Sequence, residues 1–250
     1  MLPFLEHPGV LAFSHRGGAH GPEPENTLAA FSAAVALGYR YLETDAHLTA
    51  DGQVVAFHDT RLDRVTDAAG EISALPWSEV SRALVDGREP IPLLADLLSE
   101  FPDTRINIDP KDDLVVEELA RVIERADAVD RVCIGAFSDD RIDRMRRLLG
   151  PDLCTSLGPK ATRRMLATTR RLAPARFDGA ALQVPAHVGR LPLVTRGFVR
   201  GAHRLGLHVH VWTIDDADEM HRLLDLGVDG LMTDRNDVLK AVLVERDLWY

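Results

Sequence analysis

Short apolar runs alternate with helix-patterned segments along the whole chain. Strand-like runs fall at Leu11–His15, Tyr41–His47, Arg105–Asp109, Val132–Phe137, Leu153–Ser156, Gly179–Val184, His208–Ile214 and Gly230–Thr233. Most are brief and rich in Val, Ile and Leu, as parallel strands buried on both faces require. The intervening segments carry helix stops at Gly38, Gly150, Gly206 and Gly227, where glycine tolerates the left-handed conformation that ends a helix. A helix is predicted over Thr27–Leu37, capped by Asn26 or Thr27. Strand–helix units of this kind fill the 250 residues with no linker between them. The expected fold is therefore α/β: one (β/α)8 (TIM) barrel spanning residues 1–250, completed by a helix over Val238–Leu248.

One interruption breaks the rhythm. After Glu43-Thr44-Asp45 the chain passes through Leu48-Thr49-Ala50-Asp51-Gly52-Gln53 into Val54-Val55-Ala56-Phe57-His58. Asp-Gly between alternating apolar runs signals a hairpin. A turn centred on Asp51-Gly52 would set Thr49 near Val54 and Asp45 opposite His58. His58 would then fold back onto the carboxylates at the C-terminal rim of the barrel, where barrel enzymes place their sites. From residue 60 to residue 101 the pattern is irregular, with a turn at Asp67-Ala68-Ala69-Gly70, a helical stretch at Trp77–Leu84 and another starting at Pro90-Ile91-Pro92. This segment reads as a small insertion between the second and third strands, either lying over the site or serving as an ordinary long connection.

Composition narrows the function classes. A hydrophobic fraction of 46% supports a sizeable core and opposes global disorder. A formal net charge of −10 argues against a nucleic-acid partner. It also requires that an anionic substrate be attracted locally, by Arg, Lys or a metal. Cys133 and Cys154 both fall in expected strands and read as small core hydrophobes. Met1–Pro8 has neither a basic start nor a continuous apolar run, and no uncharged apolar stretch reaches the ~18 residues that span a bilayer. The expectation is a cytoplasmic protein with no signal peptide and no transmembrane segment.

Candidate chemistry gathers in His15-Arg16-Gly17, Pro24-Glu25-Asn26-Thr27, Glu43-Thr44-Asp45, His58-Asp59 and Asn107-Ile108-Asp109-Pro110-Lys111. Two imidazoles can exchange protons near neutral pH, and the Arg16 fork suits a phosphate. Glu43 and Asp45 share one strand face, and two acids inside an apolar barrel need a compensating charge. A hard divalent cation, Mg²⁺ or Ca²⁺, prefers such oxygen ligands, with Asp109 as a third carboxylate. No Cys/His cluster has zinc spacing. Lys111 is placed to hold a phosphate oxygen or to counter the acids, and Asn26 lies in or beside the site. Trp212 reads as core or as an apolar wall for substrate, and His47 as a neighbour of the carboxylates. His208 and His210 read as structural, and His7, His20, His187, His203 and His221 have no supporting constellation.

Taken in order, these motifs resemble the glycerophosphodiester phosphodiesterase family, barrel relatives of the phosphatidylinositol-specific phospholipases C. The likeness covers nearly the whole chain and includes Leu48-Thr49-x-Asp51-Gly52, Val211-Trp212-Thr213, and Gly227-Val228-Asp229-Gly230 with Thr233-Asp234. The resemblance implies hydrolysis of a glycerophosphodiester, a small-molecule substrate, to sn-glycerol 3-phosphate and an alcohol. It makes His15 and His58 the acid/base pair, Arg16 the phosphate binder, and Glu43 and Asp45 the metal ligands. By likeness to the phospholipases, the substrate's 2-hydroxyl attacks and water then opens a cyclic phosphate. His15 is assigned as the first base and His58 as the first acid, with the roles exchanged in the second step. Two departures stand out. Asp109-Pro110-Lys111 replaces the family's Glu-x-Lys, and Thr233-Asp234-Arg235-Asn236 lacks the proline of Thr-Asp-x-Pro. Competing readings are a lysophospholipase D-like enzyme, which an apolar groove in the insertion would favour, and a non-hydrolytic sugar-phosphate barrel. The second would need a Schiff-base lysine or a late phosphate loop, and neither is evident.

Overall fold

A computed structural model describes the backbone of residues 2–171 and 176–250, and the side chains of these residues except 168–171. Eight parallel strands form the barrel: β1 (Leu11–His15), β2 (Tyr41–Leu48), β3 (Arg105–Pro110), β4 (Val132–Ile134), β5 (Cys154–Thr155), β6 (Ala181–Pro185), β7 (His208–Trp212) and β8 (Gly230–Thr233). Their hydrogen-bonded order is β5-β4-β3-β2-β1-β8-β7-β6. A parallel bridge from Ser156 to Ala181 closes the ring between β5 and β6, with Leu157 N donating to Ala181 O at 2.7 Å. Helices α1 (Leu28–Ala36), α2 (Leu94–Glu100), α3 (Val115–Arg125), α4 (Asp139–Leu149), α5 (Pro159–Arg171), α6 (Arg196–Arg204), α7 (Ala217–Leu226) and α8 (Asn236–Glu245) follow the strands in turn. Thr27 caps α1, its hydroxyl accepting from Ala30 N.

Side-chain parity decides what enters the barrel. Leu42 and Ala46 of β2, Ile106 and Ile108 of β3, and Val209 and Val211 of β7 face outward into the main core beneath the helices. The alternate positions point inward. At the N-terminal end these are apolar: Leu11, Phe13, Tyr41, Cys133, Cys154 and Met232 pack with Phe4 and Leu5 of the short 3-10 helix Pro3–Leu5. That helix plugs the barrel floor, with Tyr41 Oη donating to Phe4 O at 2.9 Å. Further up the same strands the inward positions become His15, Glu43, Asp45, Asn107 and Asp109. The two cysteines are free and buried.

The hairpin forms, but its register differs by one residue from the expected one. Leu48 pairs with Val54 and Ala46 with Ala56, and Phe57 N donates to Asp45 O at 3.0 Å, so Phe57 rather than His58 lies opposite Asp45. The cause is the turn. Thr49 N donates to Gln53 O at 2.9 Å across a three-residue loop whose last residue, Gly52, has φ +85°. A type I turn closed by a left-handed glycine adds a residue that a two-residue Asp-Gly turn lacks.

The segment that follows has its own core: Phe57, Leu62, Ile72, Val80, Ala83, Val85 and Ile91 pack together away from the main cluster. It contains short helical turns and a small hairpin, Leu84–Val85 with Glu89–Pro90. Leu94, Leu97, Leu98 and Phe101 belong instead to the main core, so α2 is the helix of the second barrel unit and the segment with a separate core ends before it.

Candidate active site

The inward polar residues meet at the C-terminal mouth in register. His15 sits beside Glu43, Glu43 beside Asn107, and Asp45 beside Asp109. β1 then turns sharply, with Arg16 at φ +52° and Gly17 at φ +85°. A Cβ on Gly17 would fall 2.5 Å from Ala30 Cβ, so only glycine lets the turn lie against α1. In this turn the Arg16 amide donates to Glu43 O at 3.0 Å and points at Glu43 Oε2 at 3.3 Å.

Lys111, Arg16 and Asn26 serve two of the three acids. Lys111 Nζ lies 2.7 Å from Asp45 Oδ1 and 2.8 Å from Asp109 Oδ2. Arg16 Nε is 3.3 Å from Asp45 Oδ2. Asn26 Nδ2 donates to the same oxygen at 3.2 Å, and Thr44 Oγ1 donates to Asn26 Oδ1 at 2.8 Å. Asn26 thus stands behind Asp45 rather than in the cleft, held at φ +57°. Burial works against the charge on Asp45, but Lys111 and Arg16 prevail and keep its carboxyl below the usual range. Asp109 is raised, mainly by burial. Glu43 is the least compensated: burial, and then the neighbouring Asp45, push it up to about 7.

Each histidine is anchored through Nδ1 by an aspartate. His15 Nδ1 is 2.6 Å from Asp234 Oδ1, with its Nε2 3.7 Å from Glu43 Oε2. His58 Nδ1 is 2.6 Å from Asp59 Oδ1. Such an anchor leaves Nε2 for the cleft. Burial disfavours the charged form of both. At His15, Glu43 and Asp234 outweigh it and raise the pKa; at His58, Asp45 and Asp59 do not, and the pKa is lowered.

His15, Arg16, Glu43, Asp45, His58, Asn107, Asp109 and Lys111 line one side of a cleft of about 470 Å³. The opposite side is apolar, including Ala136, Phe137, Leu157, Val184, Val188 and Trp212. Phe137 is 71% exposed and meets Trp212 edge-on at 5.7 Å. The expected fourth strand ran to Phe137, but β4 ends at Ile134, which frees Phe137 for the rim. No described residue of 60–101 lines the cleft, so the groove is not built by the insertion. His47 lies behind His58, its Nε2 3.1 Å from His58 O. His210 is fully buried with neither ring nitrogen hydrogen-bonded.

Several contributors were not singled out by sequence. Asp59 and Asp234 were visible as motif members without a role. Glu25, which contacts Arg16, and Arg64, which contacts Glu25 and Asp59, join them. Asn236, in place of the missing proline, donates from Nδ2 to Gly17 O at 3.0 Å and so pins the β1 turn. His20, expected to stand alone, lies with Asp215 and Asp234, their ligand atoms within 4.8 Å of one another.

The donor set bears on a divalent cation. Glu43 and Asp45 offer buried, oxygen-only donors on one strand face, and Glu43 lacks the cation contacts that Asp45 has, which fits a hard ion. Asp109 is drawn to Lys111. Among the described residues, His20, Asp215 and Asp234 form the only trio of His, Cys, Asp or Glu ligand atoms that converge, and the three barrel acids do not.

Comparison with known proteins decides the family. Residues 15–238 match the model of the glycerophosphoryl diester phosphodiesterase family. The chain belongs to that family. It is an enzyme of the phosphodiesterase class. It is 41% identical over 99% of its length, and 96% of the relative's, to the probable glycerophosphodiester phosphodiesterase 2 of Mycobacterium tuberculosis. A solved structure, the putative glycerophosphoryl diester phosphodiesterase of Silicibacter pomeroyi, superposes with TM-score 0.83 at 25% identity, covering 100% of both chains. A phosphodiesterase of Oleispira antarctica, solved with the product sn-glycerol-3-phosphate, shares the fold at TM-score 0.78 and 21% identity, over 94% of this chain and 97% of that one.

Proposed function

We propose that this phosphodiesterase hydrolyses glycerophosphodiesters to sn-glycerol 3-phosphate and an alcohol in the cleft above β1–β3, with His15 and His58 as its acid/base pair. The observation that carries the reading is the pair of aspartate-anchored imidazoles facing one cleft with Arg16, Lys111, Asp45 and the undercompensated Glu43. Glu43 and Asp45 would hold Mg²⁺ or Ca²⁺, with Asp109 the candidate third carboxylate on the neighbouring strand. When bound, the ion neutralises phosphoryl oxygens and the charge that builds in the transition state. Arg16 presents its guanidinium fork to the phosphate, and Lys111 adds a point charge.

One imidazole Nε2 accepts the proton of the attacking hydroxyl, and the other donates a proton to the leaving alkoxide. The attacking group is the glycerol 2-hydroxyl. The P–O bond to the alcohol breaks as the bond to O2 forms, and water then opens the cyclic phosphate with the two histidines exchanged in role. The apo electrostatics favour a protonated His15 and a neutral His58, the reverse of the first-step assignment. Glu43 is among the causes of the proton's hold on His15; a cation held by Glu43 would weaken that hold, in keeping with His15 as the first base. The reading extends to a cytoplasmic setting, which two free buried thiols support; among the described residues no helix is long and apolar enough to cross a membrane.

The apolar wall of Phe137, Val188 and Trp212 favours a second substrate, a lysophospholipid whose acyl chain lies along it. Purified protein incubated with Mg²⁺ or Ca²⁺ and either glycerophosphocholine or lysophosphatidylcholine tests both readings through choline release. Release that disappears with EDTA and in His15→Ala and His58→Ala supports the mechanism. No release across a panel of head groups refutes the hydrolase reading.

A further inference from the structure

Arg64 belongs to the insertion, yet it contacts the carboxylate partners of two site residues. Its Nε donates to Asp59 Oδ2, and its Nη2 donates to Asp59 Oδ1 at 3.3 Å and to Glu25 Oε1 at 2.6 Å. Asp59 Oδ1 is the atom that sits 2.6 Å from His58 Nδ1. Glu25 Oε1 is the atom 3.4 Å from Arg16 Nη1. One guanidinium therefore closes a continuous chain from imidazole to phosphate fork: His58, Asp59, Arg64, Glu25, Arg16.

We propose that Arg64 is a positioning residue for the phosphodiesterase, orienting His58 through Asp59 and Arg16 through Glu25 at the same time. The inference rests on the functional reading above, in which His58 and Arg16 act on substrate. Glu25 and Asp59 are two acids that converge on one point, so they repel unless a cation stands between them. A planar fork can engage both, whereas a lysine ammonium lacks the two-sided geometry. Arg64 itself rides on a fixed base. It ends the 3-10 turn Leu62–Arg64, Leu62 is buried in the separate core, and Leu62 N donates to Gly70 O at 3.0 Å. Arg88 adds a second tie from the insertion to the β1 loop, donating from Nη2 to Pro22 O at 3.1 Å. The insertion then has a role that does not require it to cover the cleft: it delivers a guanidinium behind the catalytic pair.

The charged groups around His58 are Asp59 and Asp45, which favour its proton, and Lys111 and Arg16, which oppose it. Removing Arg64 leaves Asp59 unshared, so His58 should hold a proton to higher pH. The test compares Arg64→Ala and Arg64→Lys with the control Arg61→Ala, whose guanidinium pairs, among the described residues, with the exposed Asp63. Misplacing a reacting group by an ångström can cost about a hundredfold, so Arg64→Ala is expected to lower kcat for glycerophosphocholine by about ten- to a hundredfold. Arg64→Lys should recover only part of this, and the control should match wild type. The imidazole titration of His58, followed by NMR, should move to higher pH in Arg64→Ala. In an Asp59→Asn, Glu25→Gln background the Arg64→Ala loss should largely vanish, because its intermediaries are gone. An unchanged kcat with an unmoved His58 titration overturns the inference. So does a full additional loss in the double background. Arg64 is half-exposed, and a melting temperature near wild type separates positioning from collapse. If His58→Ala stays active, the functional reading fails and this inference with it; if His58→Ala is dead and Arg64→Ala is normal, only this inference fails.

Discussion

Replacing Asp234 by Asn perturbs His15, one imidazole of the proposed acid/base pair, without touching the substrate side of the cleft. Asp234 Oδ1 lies 2.6 Å from His15 Nδ1, with side-chain exposures of 16% and 15%. Burial opposes a charge on His15, but Glu43 and Asp234 hold its pKa above the ordinary 6.5. Asn keeps the shape and removes the charge. A neutral imidazole can still donate to its carbonyl, so the loss there is roughly 1 kcal/mol or less, whereas an imidazolium loses a charge-assisted bond worth roughly 1.5–3 kcal/mol. A histidine whose folded pKa is raised contributes stability that is fully present below its unfolded pKa and lost as pH rises through the folded value. The urea midpoint of Asp234→Asn should therefore fall more at a pH about one unit below 6.5 than at a pH about two units above it. For activity, loss of the charged bond alone corresponds to about ten- to a hundredfold in kcat. Should the amide turn its NH₂ to Nδ1, the tautomer inverts, a change that costs about 10⁴-fold in a serine-protease triad. The assay is choline release from glycerophosphocholine, paired with urea unfolding at both pH values. A kcat within about threefold of wild type, with equal midpoint losses at the two pH values, would refute the reasoning.

Other consequences follow from the same geometry. If His58 donates the first proton, His58→Ala should lose far less activity on a glycerol phosphodiester with a weakly basic nitrophenolate leaving group than on glycerophosphocholine; equal losses on both remove it as the acid. Glu43, raised to about 7, penalises the folded state increasingly as pH rises from its unfolded pKa towards that value. Metal-free Glu43→Gln should therefore be more stable than wild type at pH 8, and Mg²⁺ or Ca²⁺ should raise the melting temperature of wild type only; equal metal shifts in both proteins count against Glu43 as a ligand. Lys111→Ala leaves Asp45 and Asp109 buried without their shared cation and is expected to cost roughly 3–5 kcal/mol of stability, read from urea unfolding; a loss under about 1 kcal/mol would show that the pair is solvent-screened. Phe137→Ser should reduce kcat/KM for lysophosphatidylcholine while leaving glycerophosphocholine turnover unchanged, and a parallel fall in both would remove the acyl-wall reading.

Much of the barrel was legible because its determinants are local. The inward and outward faces of β2 follow from residue parity alone, which puts Glu43 and Asp45 together and Leu42 and Ala46 in the core. The hairpin was legible to within one residue, and the error arose where a three-residue turn replaced a two-residue one. The limits of the insertion were harder to read, since a helix such as Leu94–Glu100 shows in sequence that it is amphipathic but not which of two cores it joins. The third acid, Asp109, lies beside Asp45 on the neighbouring strand, and its oxygen is turned to Lys111.

Sequence by itself determined the alternating strand–helix order, the polar tips of β1, β2 and β3, and the pair of histidines, since each depends on periodicity or adjacency along the chain. Tertiary structure alone decided which distant side chains complete the site. Asp234 reaches His15 across 219 positions, and Arg64 joins Glu25 across 39. No periodicity encodes such contacts, because ring closure and the docking of an insertion are set by packing summed over the whole core. Electrostatics depend on the same closure: Asp45 becomes compensated and Glu43 charge-deficient only once the Lys111 and Arg16 side chains have been brought into contact with Asp45, while they reach Glu43 only as weaker influences.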